Sequence, residues 1–359
     1  MTVKKKPSKT LTGSKGKPKT SGTKRIQKNH KKQKKGGRKK VRRRISALVP
    51  IYLFFALLAV GIAVSVVTEE TENEGKLDTQ QTPQVAVYNH KTDELMHMDL
   101  EAYLVGVVAA EMPASFEPEA LKAQAVAART YTLLHIKEPG AAVLAMHPDA
   151  QLTTSPKNSQ AWYGEHEEKE QWGEEYEYYL EKVKKAVEET KGEALFFQNQ
   201  LIEPLYHASC GGNDTENSEE VWGNPVPYLK SVSCKHGTDM YTGKRQFLSW
   251  TDFCHKLGVA NTKENHHLKE LKKTPSGRVR TVKVGRELFK GTELRDKLGL
   301  KSTLIQWKTS PEGIWFQTDG FGHGVGLCQY GAQKHAGKGK TYQEILSLYY
   351  LGTTLKKEY

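Results

Sequence analysis

The first forty-four residues contain no aspartate or glutamate, although they include twenty lysines and arginines. Gly, Ser, Thr and Pro lie between these charges, so the segment has too few apolar side chains to bury a core, and we expect residues 1–44 to form a disordered basic cytoplasmic tail. The whole chain of 359 residues carries +13, so the residues after this +20 segment sum to −7. The high isoelectric point therefore belongs to the tail. It does not indicate a nucleic-acid-binding domain, and we expect no nucleic-acid partner.

The next segment lacks charge of either sign. Ile45 to Val67 is a mostly apolar run of 23 residues, interrupted by one proline and one glycine. As a helix it would be about 34 Å long, enough to cross a bilayer. Basic residues precede it and glutamates follow it, which predicts a single-pass cell-membrane protein with a cytoplasmic N-terminus. A cleaved signal peptide is the alternative. Ala63-Val64-Ser65 would suit cleavage, but the n-region would be unusually long.

No internal repeat divides the rest of the chain. Residues 68–84 are polar and predict a linker, and residues 85–359 are enough to bury one large core. Alternating side chains predict strands at Gln84–Asn89 and Arg278–Val284, a hairpin is predicted over residues 193–209, and Phe247–Leu257 is predicted to be helical. We therefore expect an α+β protein, in which an N-terminal single transmembrane helix is followed by one large mixed α/β extracytoplasmic domain.

Cysteine is scarce in this chain. The four cysteines are Cys210, Cys234, Cys254 and Cys328. Outside the membrane an even number of cysteines favours disulfides, and our preferred pairing is Cys210–Cys234 with Cys254–Cys328. Two alternatives stay open. The thiols are free, or a zinc ion is held by His207, Cys210, Cys234 and His236, whose side chains are suitable zinc ligands.

One carboxylate stands where the pattern predicts an apolar side chain. After a plausible N-cap at Asp99, Leu100, Leu104 and Val107 form one stripe of a helix, and Glu111 continues that stripe four residues later. The following Met-Pro pair ends the helix, because the residue before proline avoids the α region. Burial would raise the carboxyl pKa of Glu111 and make it a general acid near neutral pH. The alternative is a helix-terminal glutamate that points into water.

A second, alanine-rich helix follows from the corner at Ser115–Glu119, with Ser115 as the expected cap and Pro118 in the first turn. Lys122 and Arg129 are seven residues apart and share one face of it. They form either a solvated basic edge or a pair that holds Glu111 or a polar group of a ligand. Direct contact would lower the pKa of Glu111 and so oppose the effect of burial.

Alternating glycines mark the C-terminal part of the chain. Gly320, Gly322, Gly324 and Gly326 alternate around His323, which exposes backbone to the close approach of a ligand. This spacing is not a dinucleotide-binding fingerprint, and no acidic residue follows at the ribose distance. The alternative is a structural turn with a packed histidine.

Three separated stretches together carry a family resemblance. They read AAEMPASFEPEALKAQAVAARTYTL across the two predicted helices, HASCGGNDTENSEEVWGNPVPYLKSV from His207 to Val232, and GFGHGVGLCQYGAQ from Gly320 to Gln333. In this order they resemble the stage II sporulation protein D and amidase enhancer family, which includes membrane-anchored lytic transglycosylases of endospore formers. The resemblance covers most of residues 85–359.

The resemblance implies roles for particular side chains. Glu111 would be the catalytic acid, and the substrate-binding residues would be Lys122, Arg129, Tyr228, Lys230, His323 and Gln329. Cys328 stands where we expect serine in close relatives. Some relatives bind zinc through a Cys/His cluster in the loop after the second helix. The matching loop here, near His147, has no cysteine, so that site does not transfer and we expect no cofactor.

The implied reaction cuts the β-1,4 bond between N-acetylmuramic acid and N-acetylglucosamine in peptide-free glycan and closes an anhydro ring, during septal wall remodelling and engulfment. One carboxyl serves both proton transfers. That scheme agrees with our finding no second well-placed carboxylate, since Glu117 and Glu119 lie at the start of the next helix. The implied partners are peptidoglycan glycan strands, the amidase stage II sporulation protein P, and stage II sporulation protein M. The alternatives are a non-catalytic glycan-binding activator of a cell-wall amidase and a zinc-dependent wall hydrolase.

Overall fold

The structure is a computed structural model that describes residues 82–359. The predicted basic tail, the predicted transmembrane helix and most of the predicted linker lie outside the described residues. Within residues 82–359, none of the helices combines the length and the apolar character needed to cross a bilayer. The described residues form a mixed α+β domain, which confirms that part of the predicted fold class.

Helices and strands alternate irregularly along the chain. The α-helices are α1 (Leu100–Glu111), α2 (Pro118–Lys137), α3 (Ala141–Leu144), α4 (Glu165–Trp172), α5 (Tyr176–Glu188), α6 (Ser218–Trp222), α7 (Trp250–Leu257), α8 (Gly291–Leu298), α9 (Gln329–Ala336) and α10 (Tyr342–Tyr349). The strands are β1 (Gln84–Asn89), β2 (Glu94–Asp99), β3 (Leu152–Thr153), β4 (Glu193–Phe197), β5 (Gln200–Leu201), β6 (Tyr206–His207), β7 (Lys244–Ser249), β8 (Leu268–Lys273), β9 (Val279–Val284), β10 (Glu287–Lys290), β11 (Ile305–Thr309), β12 (Gly313–Thr318), β13 (Leu327–Cys328) and β14 (Thr354–Lys357).

A first hydrophobic core surrounds α1 and α2. Leu100, Leu104 and Val107 are completely buried in it, which confirms the apolar stripe predicted for α1. The Asp99 carboxylate accepts hydrogen bonds from the backbone N–H groups of Glu101 and Ala102 at 2.9 and 3.2 Å, so the predicted N-cap is also confirmed.

Helix α2 begins too late in the sequence for Ser115 to be its N-cap. Pro118 is its first residue and Glu117 occupies the cap position without a side-chain hydrogen bond. Proline fits the first helical position because it needs no N–H there and its φ is already helical. Ser115, which is exposed, lies outside the helix, so the predicted cap was wrong.

A second hydrophobic core lies in residues 244–318. Two three-stranded antiparallel sheets, in the orders β11-β12-β7 and β10-β9-β8, pack with α7 and α8 around it. The helix predicted over Phe247–Leu257 begins only at Trp250. Phe247 belongs to β7 and pairs with β12, and the Ser249 hydroxyl caps α7 by accepting from the Asp252 N–H at 3.1 Å.

A short parallel pair joins two motifs that are far apart in sequence. Strand β6 pairs with β13, placing Tyr206 opposite Leu327 and His207 opposite Cys328. Isolated bridges link Ser209 with Phe321 and Glu216 with Val325. The predicted hairpin over 193–209 is therefore only partly correct, because β4 pairs with β5 and β14 while β6 pairs with β13.

Candidate active site

Glu111 ends α1 at the wall of a large cleft. Met112 leaves the helix with φ −130° and ψ 137°, and Pro113 follows, as the sequence predicted. Glu111, a half-buried residue, lines this cleft of about 630 Å³. Glu111 also lines a second groove of about 350 Å³, where Trp172 and Tyr179 contribute to the walls. The acid thus stands where the two grooves meet.

Burial controls the protonation of Glu111. Removal of the carboxylate from water raises its pKa to about 7, and this effect exceeds two hydrogen bonds that act in the opposite direction. One comes from the backbone N–H of Ala161 to Oε1 at 2.7 Å, and the other comes from the Tyr206 hydroxyl. The acid is therefore about half protonated near neutral pH.

A close contact with α1 holds the Ala161 N–H in place. The backbone N–H of Tyr163 donates to the Gly106 carbonyl at 3.1 Å. A Cβ at position 106 would lie 2.3 Å from Trp162 Nε1 and 2.4 Å from the Tyr163 carbonyl oxygen. Only glycine leaves room for this approach. Gly106 therefore sets the position of residues 161–163, and the first of these hydrogen-bonds Glu111, which lies about one and a half turns after Gly106 on α1.

Tyr206 connects the acid to α2. Its hydroxyl donates to Gln160 Oε1 at 3.0 Å, and Gln160 Nε2 donates to the Thr132 hydroxyl at 3.1 Å. Gln160 and Thr132 are buried, so this chain fixes the tyrosine ring beside Glu111. One hydroxyl proton can serve only one acceptor at a time, which suits a tyrosine that donates to Glu111 when the acid is ionised and to Gln160 when it is protonated.

The glycine-rich stretch forms another wall of the cleft. Gly320, Gly322, Gly324 and Gly326 have φ values of 86°, 105°, 84° and 72°, which only glycine adopts readily. A Cβ on Gly326 would lie 1.9 Å from the carbonyl oxygen of Leu205. This alternation lets residues 320–326 lie directly against residues 205–211, next to Tyr206.

His323 in this wall is neutral. Burial, assisted by the neighbouring His207 and Arg295, lowers its pKa to about 3. Its Nδ1 accepts the N–H of Val325 at 3.1 Å, so we assign the ring proton to Nε2. Gln329 also lines the cleft, and its Nε2 donates to Gln124 Oε1 at 3.2 Å.

A second carboxylate lines the same cleft. Glu203 lies in its wall with Glu111, and burial raises the pKa of Glu203 as well. The Tyr228 hydroxyl accepts the backbone N–H of Glu203 at 3.1 Å. Glu203 corrects the expectation that no second carboxylate is well placed. Nothing in the local sequence pattern around Glu203 shows that the chain returns to the end of α1.

Comparison with known proteins identifies the family. The family model described as stage II sporulation protein matches residues 88–197. The stage II sporulation protein D of Bacillus subtilis (strain 168) is 38% identical over 275 residues, which are 76% of this chain and 79% of that protein. The chain belongs to the stage II sporulation protein D family. The resemblance predicted from the three motifs is thus confirmed.

This member of the sporulation protein D family is also similar to two further proteins. The stage II sporulation protein D of Bacillus amyloliquefaciens is 36% identical over 276 residues, covering 76% of this chain and 78% of that protein. The amidase enhancer of Bacillus subtilis (strain 168) is 32% identical over 309 residues. That match covers 70% of this chain but only 40% of the amidase enhancer.

The structure brings His323 and Gln329 into the cleft with Glu111, and Tyr228 contacts the backbone of Glu203. Four predicted substrate contacts are not among the described residues that line it: Lys122, Arg129, Tyr228 and Lys230. Lys122 pairs with Glu119 at 2.8 Å and Glu189 at 2.6 Å, and Lys230 pairs with Glu219 at 2.9 Å.

Arg129 is the largest correction to the predicted site. Its guanidinium is completely buried and forms a bidentate pair with Glu101, with Nε–Oε1 and Nη2–Oε2 distances of 2.8 and 2.7 Å. It also donates to the carbonyl oxygens of Val187 and Glu193. Each of these contacts joins α2 to other elements of the first core, so the side chain holds the fold together and does not face the cleft.

The cysteines also differ from the preferred prediction. All four are free thiols. Cys254 is buried in the second core and Cys328 in the first, so the predicted Cys254–Cys328 bond was wrong, and the Cys210–Cys234 bond is not formed. His207, expected in a zinc set, has its Nδ1 3.0 Å from the Val325 carbonyl oxygen and lines the cleft.

Proposed function

We propose that this protein is a lytic transglycosylase that cleaves the bond between N-acetylmuramic acid and N-acetylglucosamine in peptide-free glycan strands. The observation that carries the proposal is Glu111, a carboxyl with a pKa of about 7 where two grooves meet. A polymer can lie along both grooves with its cleaved bond at the acid. Membership of the stage II sporulation protein D family supports a role in the cell wall during sporulation.

The first proton transfer breaks the glycosidic bond. Protonated Glu111 donates to the oxygen that leaves with N-acetylglucosamine, while the C1–O bond of the muramic sugar breaks and positive charge develops at C1. The cleft that raises the pKa of Glu111 keeps this proton available near pH 7. Tyr206 can then donate to the new carboxylate, which stabilises the charge that the acid has just gained.

The second transfer restores the acid. The C6 hydroxyl of the same muramic sugar attacks C1, its proton passes to the Glu111 carboxylate, and the new C6–O–C1 bond closes the anhydro ring. No water is consumed, and Glu111 ends the cycle protonated. His323, with its proton assigned to Nε2, and Gln329 are polar groups of the cleft wall that can hold the sugar hydroxyls.

Glu203 gives the competing mechanism a structural basis. A hydrolase uses two carboxylates, one as acid and one as base or nucleophile, and Glu203 lies in the same cleft. The experiment is digestion of peptide-free glycan with purified protein, followed by mass spectrometry of the products. We expect anhydro-muramic ends. Reducing muramic ends would instead show that water enters the reaction.

The second candidate is a non-catalytic activator that binds wall glycan and stimulates an amidase. The similarity to the amidase enhancer of Bacillus subtilis (strain 168) favours it. It predicts that the purified protein binds glycan but yields neither kind of cleaved end. Adding an amidase with its peptidoglycan substrate would then reveal the activity.

The cellular setting of the enzyme is part of the proposal. The apolar run from Ile45 to Val67 would anchor the protein in the cell membrane, with residues 1–44 in the cytoplasm and the cleft outside. The amidase stage II sporulation protein P would supply peptide-free glycan, and stage II sporulation protein M would be a further partner in septal remodelling and engulfment. Protease treatment of intact protoplasts would remove the catalytic domain if this orientation is correct.

A further inference from the structure

Three thiols and an imidazole converge in the first core, outside the cleft. The group consists of Cys210, Cys234, His236 and Cys328, and its four ligand atoms all lie within 4.8 Å of one another. In a tetrahedral zinc site with Zn–S distances of about 2.3 Å, the sulfur atoms are about 3.8 Å apart. All four side chains are buried, and the three cysteines are between 0% and 4% exposed.

We propose that these four residues form a structural zinc site of the Cys₃His type. The set shares Cys210, Cys234 and His236 with the alternative raised from the sequence, but the fourth ligand is Cys328 and not His207. Thiolate and imidazole are the ligands that zinc prefers in closed tetrahedral sites. Four protein ligands leave no open position, so the ion would stabilise structure and would not activate water.

Several groups around the sulfur atoms can donate hydrogen bonds to thiolates. The backbone N–H groups of Cys210 and Gly331 each donate to Cys328 Sγ at 3.3 Å. The Tyr349 hydroxyl lies 3.1 Å from Cys234 Sγ. Such donors compensate the negative charge that bound thiolates carry, and outer hydrogen bonds of this kind orient metal ligands.

The fourth ligand, His236, lies near the buried carboxylate of Asp239. Its Oδ2 lies 3.7 Å from Nε2 of His236, and both side chains are almost completely buried. Gly331 completes the packing, because a Cβ there would lie 2.4 Å from Cys234 Sγ. Only glycine lets α9 approach the cluster this closely.

A disulfide explains the arrangement less well. Three sulfur atoms can form one disulfide at most. A disulfide would leave unexplained why the third thiol and the histidine lie beside it. Zinc uses all four groups. It also joins three segments distant in sequence: the loop after β6, residues 234–236, and the junction of β13 with α9.

These three segments support one side of the cleft. Strand β13 pairs with β6, which carries Tyr206, and Tyr330 on α9 lines the cleft two residues after Cys328. The zinc ion would therefore fix the wall that holds Tyr206 beside Glu111. This inference does not depend on the proposed reaction, because its test reads metal content and spectrum.

The experiment is elemental analysis of the full-length protein purified without chelator. We expect one zinc per chain in the wild type and in Cys254→Ser, the matched control, whose thiol is buried in the other core. Cys328→Ser and His236→Ala should lose the metal, while His236→Cys should retain it because it supplies a fourth thiolate. Replacement of zinc by Co²⁺ should give the thiolate charge-transfer band and visible bands of a tetrahedral Cys₃His site.

Reversible removal of zinc from the wild type tests the site without depending on the folding of a variant. Removal of zinc from the wild type with a chelator should lower Tm, and adding Zn²⁺ alone should restore it. Several results would overturn the proposal: no metal in the wild type together with a disulfide among the three cysteines, iron in place of zinc, or equal metal loss in Cys254→Ser and Cys328→Ser.

Discussion

The pKa of the Glu111 carboxyl group is set by two opposing effects: two hydrogen-bond donors lower it, and burial raises it. The Ala161 N–H and the Tyr206 hydroxyl favour the ionised form, but burial favours the neutral form more strongly, and the pKa rises to about 7. A general acid is most effective when its pKa lies near the working pH. The local environment of Glu111 therefore suits this residue to the role of general acid.

The pH dependence of glycan cleavage follows from this pKa. Because the reaction begins with protonated Glu111, kcat/KM should fall about tenfold per pH unit once the pH exceeds about 7. His323, with a pKa of about 3, should not contribute to this limb. Initial rates between pH 5.5 and 9 on peptide-free glycan test the prediction. A rate that rises steadily from pH 6 to pH 8 would argue that Glu111 acts as a base from the start.

Stability should depend on pH through the same group. The native state holds a proton on Glu111 that the unfolded chain releases above its usual pKa of 4.5, so the free energy of unfolding should fall as the pH rises from about 4.5 through about 7. The variant Glu111→Gln does not titrate. Relative to the wild type, it should gain roughly 1–3 kcal/mol between pH 5 and pH 8 in urea unfolding. An equal difference at both pH values would contradict the raised pKa.

Arg129 is predicted to act on stability. Removing one partner of a buried ion pair leaves the other charge uncompensated, so Arg129→Ala should cost about 3–5 kcal/mol in urea unfolding. The double variant Arg129→Met with Glu101→Met should recover part of this loss, because no buried charge remains. If the single variant is as stable as the wild type but has a raised KM for glycan, the side chain contacts substrate after all.

At the scale of elements, the contact between α1 and residues 161–163 sets the position of the acid's hydrogen-bond donor. Gly106→Ala places a methyl group about where Trp162 Nε1 and the Tyr163 carbonyl now lie, so residues 161–163 must shift. We expect a loss of about 1–3 kcal/mol in stability from overpacking. The Ala161 donor is lost as well, so the alkaline limb of the rate profile should move to higher pH.

The matched control for this substitution is Gly140→Ala. A Cβ at position 140 meets nothing closer than 4.0 Å, and the φ of −66° suits any residue. That variant should keep the wild-type pH profile and nearly all of the stability. If Gly106→Ala behaves like Gly140→Ala, the contact does not position the Ala161 N–H.

Local signals in the sequence were sufficient for the parts of the site that depend on one element. The N-cap at Asp99, the buried stripe of α1 and its end at Met112 were predicted because caps, helical spacing and the residue before proline act within a few residues. The face of α2 that carries Arg129 was also identified. Spacing alone could not show that other elements cover that face.

The missed residues depend on pairing between distant elements. Tyr206 and Glu203 reach the cleft because β6 pairs with β13, some 120 residues later in the chain. Cys328 joins Cys210 and Cys234 for the same reason. Tertiary pairing of this kind leaves no periodicity in a single sequence, although the three motifs that carry the family resemblance do mark the segments that meet.

At the scale of the molecule, the described residues form two hydrophobic cores. The first core packs around α1, which ends at Glu111, and includes the three cysteines of the Cys/His cluster, while the second core of residues 244–318 contains Cys254. The cleft takes its acid from the N-terminal motif and other lining residues, among them His207 and His323, from the other two motifs. The activity that we propose is therefore a property of the assembled domain.

The most direct measurement is turnover of peptide-free glycan by the wild type beside Glu111→Gln, with Glu117→Gln as the exposed-carboxyl control. We predict a loss of about 10²–10⁴-fold in formation of anhydro-muramic ends for Glu111→Gln, with glycan binding retained, and no loss for Glu117→Gln. Full activity of Glu111→Gln would contradict the account.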